Sequence, residues 1–255
     1  VRAVAPIGCH RHAGSARRDG NNVAFDSRMV SLGGRRLAGS KDFGDDGQLT
    51  AAGVKDNVVQ LDETHANAIA RSLEYATFTV ASMETKPYRR RPVPPFTTST
   101  LQQTAGNRLG MSSRQTMRAA QGLYENGFIT YMRTDSVTLS QEAIAAAREA
   151  VSRHFGEKYL SDAPKQYATK TAGAQEAHEC IRPAGAHFRD PAEIATKAAD
   201  QLKLYTLIWQ RTLACQMADA TGSTATVRLS SPTESDGEAM FQASGTVIEF
   251  PGFMK

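Results

Sequence analysis

The sequence predicts an α+β protein in which a mainly helical domain is inserted into an antiparallel β-rich one. Three observations predict this. Residues 22 to about 85 read as short strands and turns around one helix. Between about 97 and 217 the apolar residues recur at helical spacing. After Asp219 the period-two pattern returns. The β-rich domain is therefore assigned to 22–90 and 212–255, and the helical domain to 91–211. Residues 1–21, rich in Arg, His, Gly and Ala and without periodicity, fit neither pattern. They are expected to be disordered or an artefact of reading frame.

The elements follow in order. "NVAFDSRMVSL" is strand-like, and "GGRRLA" supplies a turn and a return strand. "DDGQLT" is a second turn. "DETHANAIARSLEYA" places Ala66, Ile69, Ala70 and Leu73 on one helical stripe, whereas the β-branched "TFTVASME" favours a strand. "RRRPVPPF", with its three prolines, suits a stiff crossing into the helical domain. There Ser112 and Gln115 have capping-box spacing, and Met117, Ala120 and Tyr124 give the next helix an apolar face. Asn126 and Gly127 end it. "FITYM" is too short for a helix and too apolar for an open loop, so it is read as a buried connection. Ser140 then starts a helix carrying Ile144, Ala147, Val151 and Phe155 on one side, with Gly156 at its end. A long helix at roughly 192–217 carries Leu204, Tyr205, Ile208, Trp209 and Leu213. "STATVRLSS", a turn at "PTESDGE" and "MFQASGTVIEF" restore the β pattern. The chain stops abruptly at "FPGFMK", directly after a strand, as a piece of something longer would.

Composition narrows the function classes. With 40% hydrophobic and 22% charged residues, the 255-residue chain is ordinary for a globular protein. It contains no apolar run of about 18 residues that would span a membrane, and its start lacks the apolar stretch of a secretory signal. Cys9, Cys180 and Cys215 stand far apart, which argues against a disulfide framework or a zinc ribbon. A reducing cytoplasm is the expected compartment, with the protein associated with the nucleoid and monomeric. The net charge is only +4, so its placement matters more than its sum. It concentrates in "KPYRRRP", where Lys86, Arg89, Arg90 and Arg91 form either a solvated loop or a contact for an anionic partner such as nucleic acid.

Two patches carry candidate chemistry. In "FITYMRTDS" an extended segment would project Tyr131 and Arg133 to the same side, about 7 Å apart. A phenol with a pKa of about 10 is a poor nucleophile at neutral pH unless positive charge stabilises the phenolate and the transition state. Arginine does so while gripping phosphate oxygens with parallel donors. Asp135 shares that side and could orient Arg133. Taken alone, a Tyr-x-Arg triplet is mostly structural. The second patch, "AQEAHECIRP", packs Glu176, His178, Glu179 and Arg182 together, and Arg182 stands where a zinc HExxH motif would need histidine. A histidine there could bond phosphate or shuttle a proton, or be purely structural.

The stretch "LYENGFITYMRTDSVTLS" resembles the active-site region of type IA DNA topoisomerases, bacterial topoisomerase I in particular. "PPFTTSTLQQTAGNRLGMSSRQTM" before it and "QEAHECIRPAG" after it are similar to that family and stand in its order. "VASMETKPYRRRPVPPF" and "LIWQRTLACQMADA" resemble the actinobacterial form. The resemblance runs from about residue 25 to 255. It implies that Tyr131 attacks a DNA backbone phosphate and becomes linked to its 5′ side, so that religation needs no ATP. It implies that Arg133 stands beside the scissile phosphate and that His178 contacts DNA in the same region. Thr134, Asp135, Glu176, Arg182, Arg89, Arg90 and Arg91 are further candidate DNA contacts. The β-rich segments would form the arch that hinges a tyrosine-bearing domain, domains II and III of such an enzyme. The partners implied are single-stranded or underwound DNA and the remaining domains of the full-length protein, with no membrane.

The sequence also departs from that pattern. Cys180 replaces an alanine. The family's Toprim domain, with its Mg²⁺ ligands and catalytic lysine, does not occur in this sequence, nor do zinc ribbons. No metal site is therefore expected in this chain, Mg²⁺ being required by the full-length enzyme, and the isolated chain is expected not to relax DNA. A non-catalytic single-strand-binding module is the alternative. A tyrosine recombinase or type IB enzyme would need dispersed arginines and leave a 3′ linkage.

Overall fold

The structure, a computed structural model, describes residues 2–4, 12–18, 21–167, 179–194 and 198–255. The chain divides into two compact units: Val1–Tyr88 with Gly222–Val247, and Arg89–Thr221 with Ile248–Lys255.

The first unit is built on an antiparallel sheet. Its strands are β1 (Arg2–Val4), β2 (His12–Arg18), β3 (Asn21–Leu32), β4 (Arg35–Arg36), β5 (Thr79–Arg90), β6 (Ala220–Pro232) and β7 (Glu238–Phe250). They lie in the order β1-β2-β3-β7-β6-β5, with β4 on β3. The ends of β5, β6 and β7 belong to the second unit. The β3–β4 turn uses Gly33 and Gly34 at φ of +53° and +76°, the left-handed pair that a tight two-residue hairpin requires. Helices α1 (Ala51–Lys55) and α2 (Glu63–Ser72) follow, the latter capped by Asp62 accepting from the His65 amide at 2.7 Å. Ile69 and Leu73 on that stripe pack with Leu32, Phe78 and Phe241, the last two edge to face at 5.3 Å.

Two expectations need correction here. Strands β1 and β2 lie within residues 1–21, where none was expected. Strand β2 pairs with β3 from His12↔Ser27 to Arg18↔Asn21. Pairing is a backbone property and needs no alternation of side chains, although Asp19-Gly20 between the strands is a hairpin-favouring dipeptide. Strand β5 also runs on through Lys86, Pro87, Tyr88, Arg89 and Arg90, so most of the basic run is strand rather than loop. A proline is tolerated there because β5 is an edge strand, where a missing N–H breaks no ladder bond.

The second unit is mainly helical: α3 (Thr98–Leu109), α4 (Ser113–Glu125), α5 (Gln141–Phe155) and α6 (Ala199–Ala214). The predicted caps hold. Ser112 accepts from the Gln115 amide at 3.2 Å while Gln115 returns a bond to the Ser112 amide at 2.9 Å. Gly127 takes φ +70° after α4, and Ser140 caps α5. Leu204, Tyr205, Ile208, Trp209 and Leu213 are all buried as expected, but α6 is shorter than 192–217 because a separate 3-10 turn holds Pro191–Ile194. Tyr124 is not on the buried face of α4. That face is Thr116, Ala119, Ala120 and Leu123, and Tyr124 lies beyond its border, 41% exposed.

Gly252 closes this unit. At φ +49° a Cβ there would collide with the carbonyl oxygens of Ala218 and Asp219. Gly252→Ala is therefore expected to cost roughly 3 kcal/mol, from backbone overlap that no rotamer relieves. Thermal unfolding of the variant checks this, and a midpoint within a degree of wild type would refute it.

Candidate active site

Residues 128–136 form neither helix nor strand, so their backbone groups need other partners. Two threonines provide them. Thr130 Oγ1 donates to the Cys180 carbonyl at 2.7 Å and accepts from the Arg182 amide at 3.0 Å. The Thr130 amide donates to the Arg182 carbonyl at 2.9 Å. On the other side, Thr98 in the first turn of α3 donates from Oγ1 to the Met132 carbonyl at 2.7 Å, and its Oγ1 accepts from the Thr134 amide at 2.9 Å. The Thr98 amide donates to the Thr134 carbonyl, also at 2.9 Å. Tyr131 is thus fixed at both flanks.

Side-chain exposure along the segment alternates as in an extended strand. Ile129 and Met132 are each 2% exposed and anchor it in the core, while Tyr131, Arg133 and Asp135 face solvent and Ser136 is buried. Tyr131 is 44% exposed, with its ring edge to face against Tyr124 at 5.3 Å between centroids. Tyr131 and Arg133 therefore share the open side, as the spacing predicts. Asp135 shares it too, but among the described residues it makes no ion pair with Arg133. Thr134 is half-buried, its backbone held by Thr98 and its Oγ1 accepting from the Ser136 amide at 3.1 Å.

The second patch is divided. His178 and Glu176 lie outside the described residues. Arg182, a candidate DNA contact, is turned inward: its side chain is 9% exposed, its Nη2 donates to Glu179 at 2.6 Å and its Nη1 donates to the Pro183 carbonyl at 2.9 Å. Its geometry is that of a structural brace. Glu179 also accepts from the Ser140 amide at 2.8 Å, tying the patch to the start of α5. Burial alone would raise the Glu179 pKa, but the bonds from Ser140 and Arg182 outweigh it and hold the carboxyl below its usual range. Cys180 is fully buried, and burial pushes its thiol well above the ordinary value, so it adds no reactive group here.

The basic run is divided as well. Asp219, its side chain 8% exposed, binds Arg89 Nε and Lys165 Nζ at 2.6 Å each, with Arg91 Nε at 3.9 Å. Arg90 instead lies over the ring of Phe253, 5.9 Å from its centroid. Among the described residues no group of three or more His, Cys, Asp or Glu is placed to hold a metal ion, so these side chains do not fit a Mg²⁺ centre. Thr98, Thr130 and Tyr124 are the site residues that sequence reasoning missed. The one signal for Tyr124 was its place at the end of an otherwise small-residue helical face.

With this geometry in place, the comparisons with known proteins set the class. A family model described as DNA topoisomerase matches residues 42–255, and the chain belongs to that family. Its relatives narrow this to the bacterial topoisomerase I kind. It is 50% identical over 229 residues to DNA topoisomerase 1 of Streptomyces coelicolor, covering 90% of the chain and 24% of that protein. It is 50% identical over 232 residues to DNA topoisomerase 1 of Mycolicibacterium smegmatis, covering 91% and 24%. Full-length topoisomerase I from Thermotoga maritima matches in structure with a TM-score of 0.62 at 29% identity, over 89% of this chain and 33% of that one. The chain spans about a quarter of the length of the curated relatives it matches. Among the described residues no helix is long and apolar enough to cross a membrane.

Two outcomes follow for the segment's supports. Thr98→Val keeps the shape but removes the hydroxyl bonds to residues 132 and 134. It is expected to cost about 2 kcal/mol in chemical denaturation, with Thr98→Ser close to wild type. Glu179 has a lowered pKa in the folded chain, so its contribution is present above the unfolded value of about 4.3 and lost as pH falls through the folded one. Glu179→Gln should therefore be less stable than wild type at pH 7, and the gap should close on acidification. A gap that is constant with pH would exclude the charged pair as its cause.

Proposed function

We infer that this chain is the nucleophile-bearing part of a longer type IA DNA topoisomerase that cleaves and reseals one strand of underwound DNA. The observation that carries the reading is the presentation of Tyr131. A solvent-facing phenol stands on a segment whose two flanks are pinned by threonine hydroxyls, with Arg133 on the same open side. In the proposed step, Tyr131 Oη bonds to a backbone phosphorus as its proton leaves. The P–O3′ bond breaks, and the 3′ oxygen departs and takes up a proton. The product is a 5′-phosphotyrosine and a free 3′ hydroxyl. Reversal reseals the strand without ATP, because the linkage keeps the energy of the bond it replaced. Arg133 donates to the phosphate oxygens as charge builds on them.

His178, from the resemblance, is assigned to the same phosphate region. Thr134 and Asp135, next along the segment, and Glu176 are assigned to its border. Mg²⁺ belongs to domains beyond this sequence, and no step here passes through it. Tyr124 offers a second aromatic face beside the nucleophile, where a base next to the cleaved phosphate can stack. The same exposed aromatics would also suit the second reading, a single-strand-binding module without chemistry.

A labelled suicide oligonucleotide separates these readings. With the full-length protein, the label 3′ of the break is expected to stay attached through its 5′ phosphate, and Tyr131→Phe to abolish capture. Capture that survives Tyr131→Phe, or a 3′ linkage, would overturn the assignment. The 255-residue chain alone, incubated with supercoiled plasmid and Mg²⁺, is expected to leave it supercoiled.

A further inference from the structure

Within the helical unit, the end of β5 and the last turns of α6 line a cavity that the tyrosine chemistry does not use. Its volume is about 680 Å³, within the range of ligand-binding clefts. Three guanidinium groups reach it, those of Arg90, Arg108 and Arg211, and no Asp or Glu stands among the described residues that line it. Arg211 donates to the Pro94 carbonyl at 3.3 Å and lies 4.3 Å from the centroid of the Phe96 ring. Arg90 has only the Phe253 ring. None of the three is paired with a carboxylate among the described residues. The neighbouring arginines of the basic run show the contrast, since Arg89 and Arg91 both turn to Asp219 and leave Arg90 on the cavity side.

Such a cluster is costly. Burial first, and then the charge of Arg108, lower the pKa of Arg211, which is the mark of cations held together without a counter-charge. A bound anion relieves that repulsion, and guanidinium forks are suited to the oxygens of a phosphate. The rest of the wall is not polar: Trp209 and Phe253 line it. Cations beside aromatic surface fit a ligand that carries an anionic oxygen group and a flat apolar ring on one scaffold. A nucleotide is such a ligand, and a single DNA strand repeats it.

We propose that this cavity is a second, non-covalent DNA contact, separate from the Tyr131 segment, which holds one or two nucleotides of a single strand. The phosphate lies among Arg90, Arg108 and Arg211, and the base lies against Trp209 and Phe253. Choosing DNA over other anions rests on the reading of the chain as a DNA-processing protein, whereas the cavity itself shares no lining residue with the tyrosine segment.

Trp209 is the only tryptophan in the chain, so its fluorescence reports this cavity alone. Titrating the 255-residue protein with an oligothymidylate of about eight nucleotides is expected to quench it saturably. Arg90 and Arg108 are exposed, so Arg90→Glu/Arg108→Glu should retain the wild-type circular dichroism. That variant is expected to bind at least about tenfold more weakly, and the slope of log affinity against log salt to flatten by about 1.4, for two lost phosphate contacts. If the double variant fails to fold, Arg108→Gln carries the test, with about half that change in slope. Tyr131→Phe should leave the titration unchanged while abolishing covalent capture, so the two proposals fail separately. Absence of quenching, or equal quenching in the arginine variants, would overturn the proposal. So would competition by oligoglutamate or inorganic phosphate as effective as that by the oligonucleotide, since the cavity would then be an anion or acidic-peptide site.

Discussion

The helical unit depends on satisfying the backbone of a segment that is neither helix nor strand. A buried peptide group without a partner costs as much as several exposed contacts return, so a connection through a core survives only if other groups bond it. Here two hydroxyls do so. Thr98 and Thr130 hold the residues on either side of position 131, and Ile129 and Met132 seal the segment against the core. With both flanks fixed and the residues on either side of the tyrosine turned inward or bonded, the Tyr131 ring has one direction left, which is outward. Its exposure follows from the burial of its neighbours.

The same logic sorts the charges. A carboxylate of low exposure gathers whichever cations reach it, and those cations are then unavailable to a partner. Asp219 takes Arg89 and Lys165, with Arg91 at the edge of contact, while Glu179 takes Arg182. These four basic groups brace the unit. Arg133, Arg90, Arg108 and Arg211 have no carboxylate partner among the described residues, and they are the ones that keep their charge for something outside the fold. The distinction between a structural and a binding arginine is therefore set by two acidic residues, not by the density of the basic run.

This explains what was legible in the sequence and what was not. Local signals were readable: the Ser112–Gln115 box, the Ser140 cap, the glycine turns and the core stripe from Leu204 to Leu213 all depend on residues within a few positions of one another. The alternation around Tyr131 was readable for the same reason. Partners distant along the chain were not. Nothing near Arg89 announces Asp219, which lies 130 residues away, and nothing near Met132 announces Thr98. The inward turn of Arg182 and the cation-rich cavity have the same origin, because each is made by elements that the fold alone brings together. Strand β2 was missed because antiparallel pairing leaves no side-chain signature when neither face is patterned.

The reach of the site follows from these arrangements. Attack by a phenol on phosphorus needs three things: a nucleophile held still, positive charge at the phosphate, and a phosphate brought to both. The threonine clamps provide the first, since a wandering ring would lose the benefit of orientation. Arg133 provides part of the second. The third requires grip along the strand as well as at the reacting group, because one guanidinium at one phosphate fixes neither the register nor the direction of a flexible polymer. A cavity of unpaired arginines and aromatic rings in the same compact unit supplies a second point of hold. Two points on one rigid body define a line for the strand, whereas one leaves it free to swing.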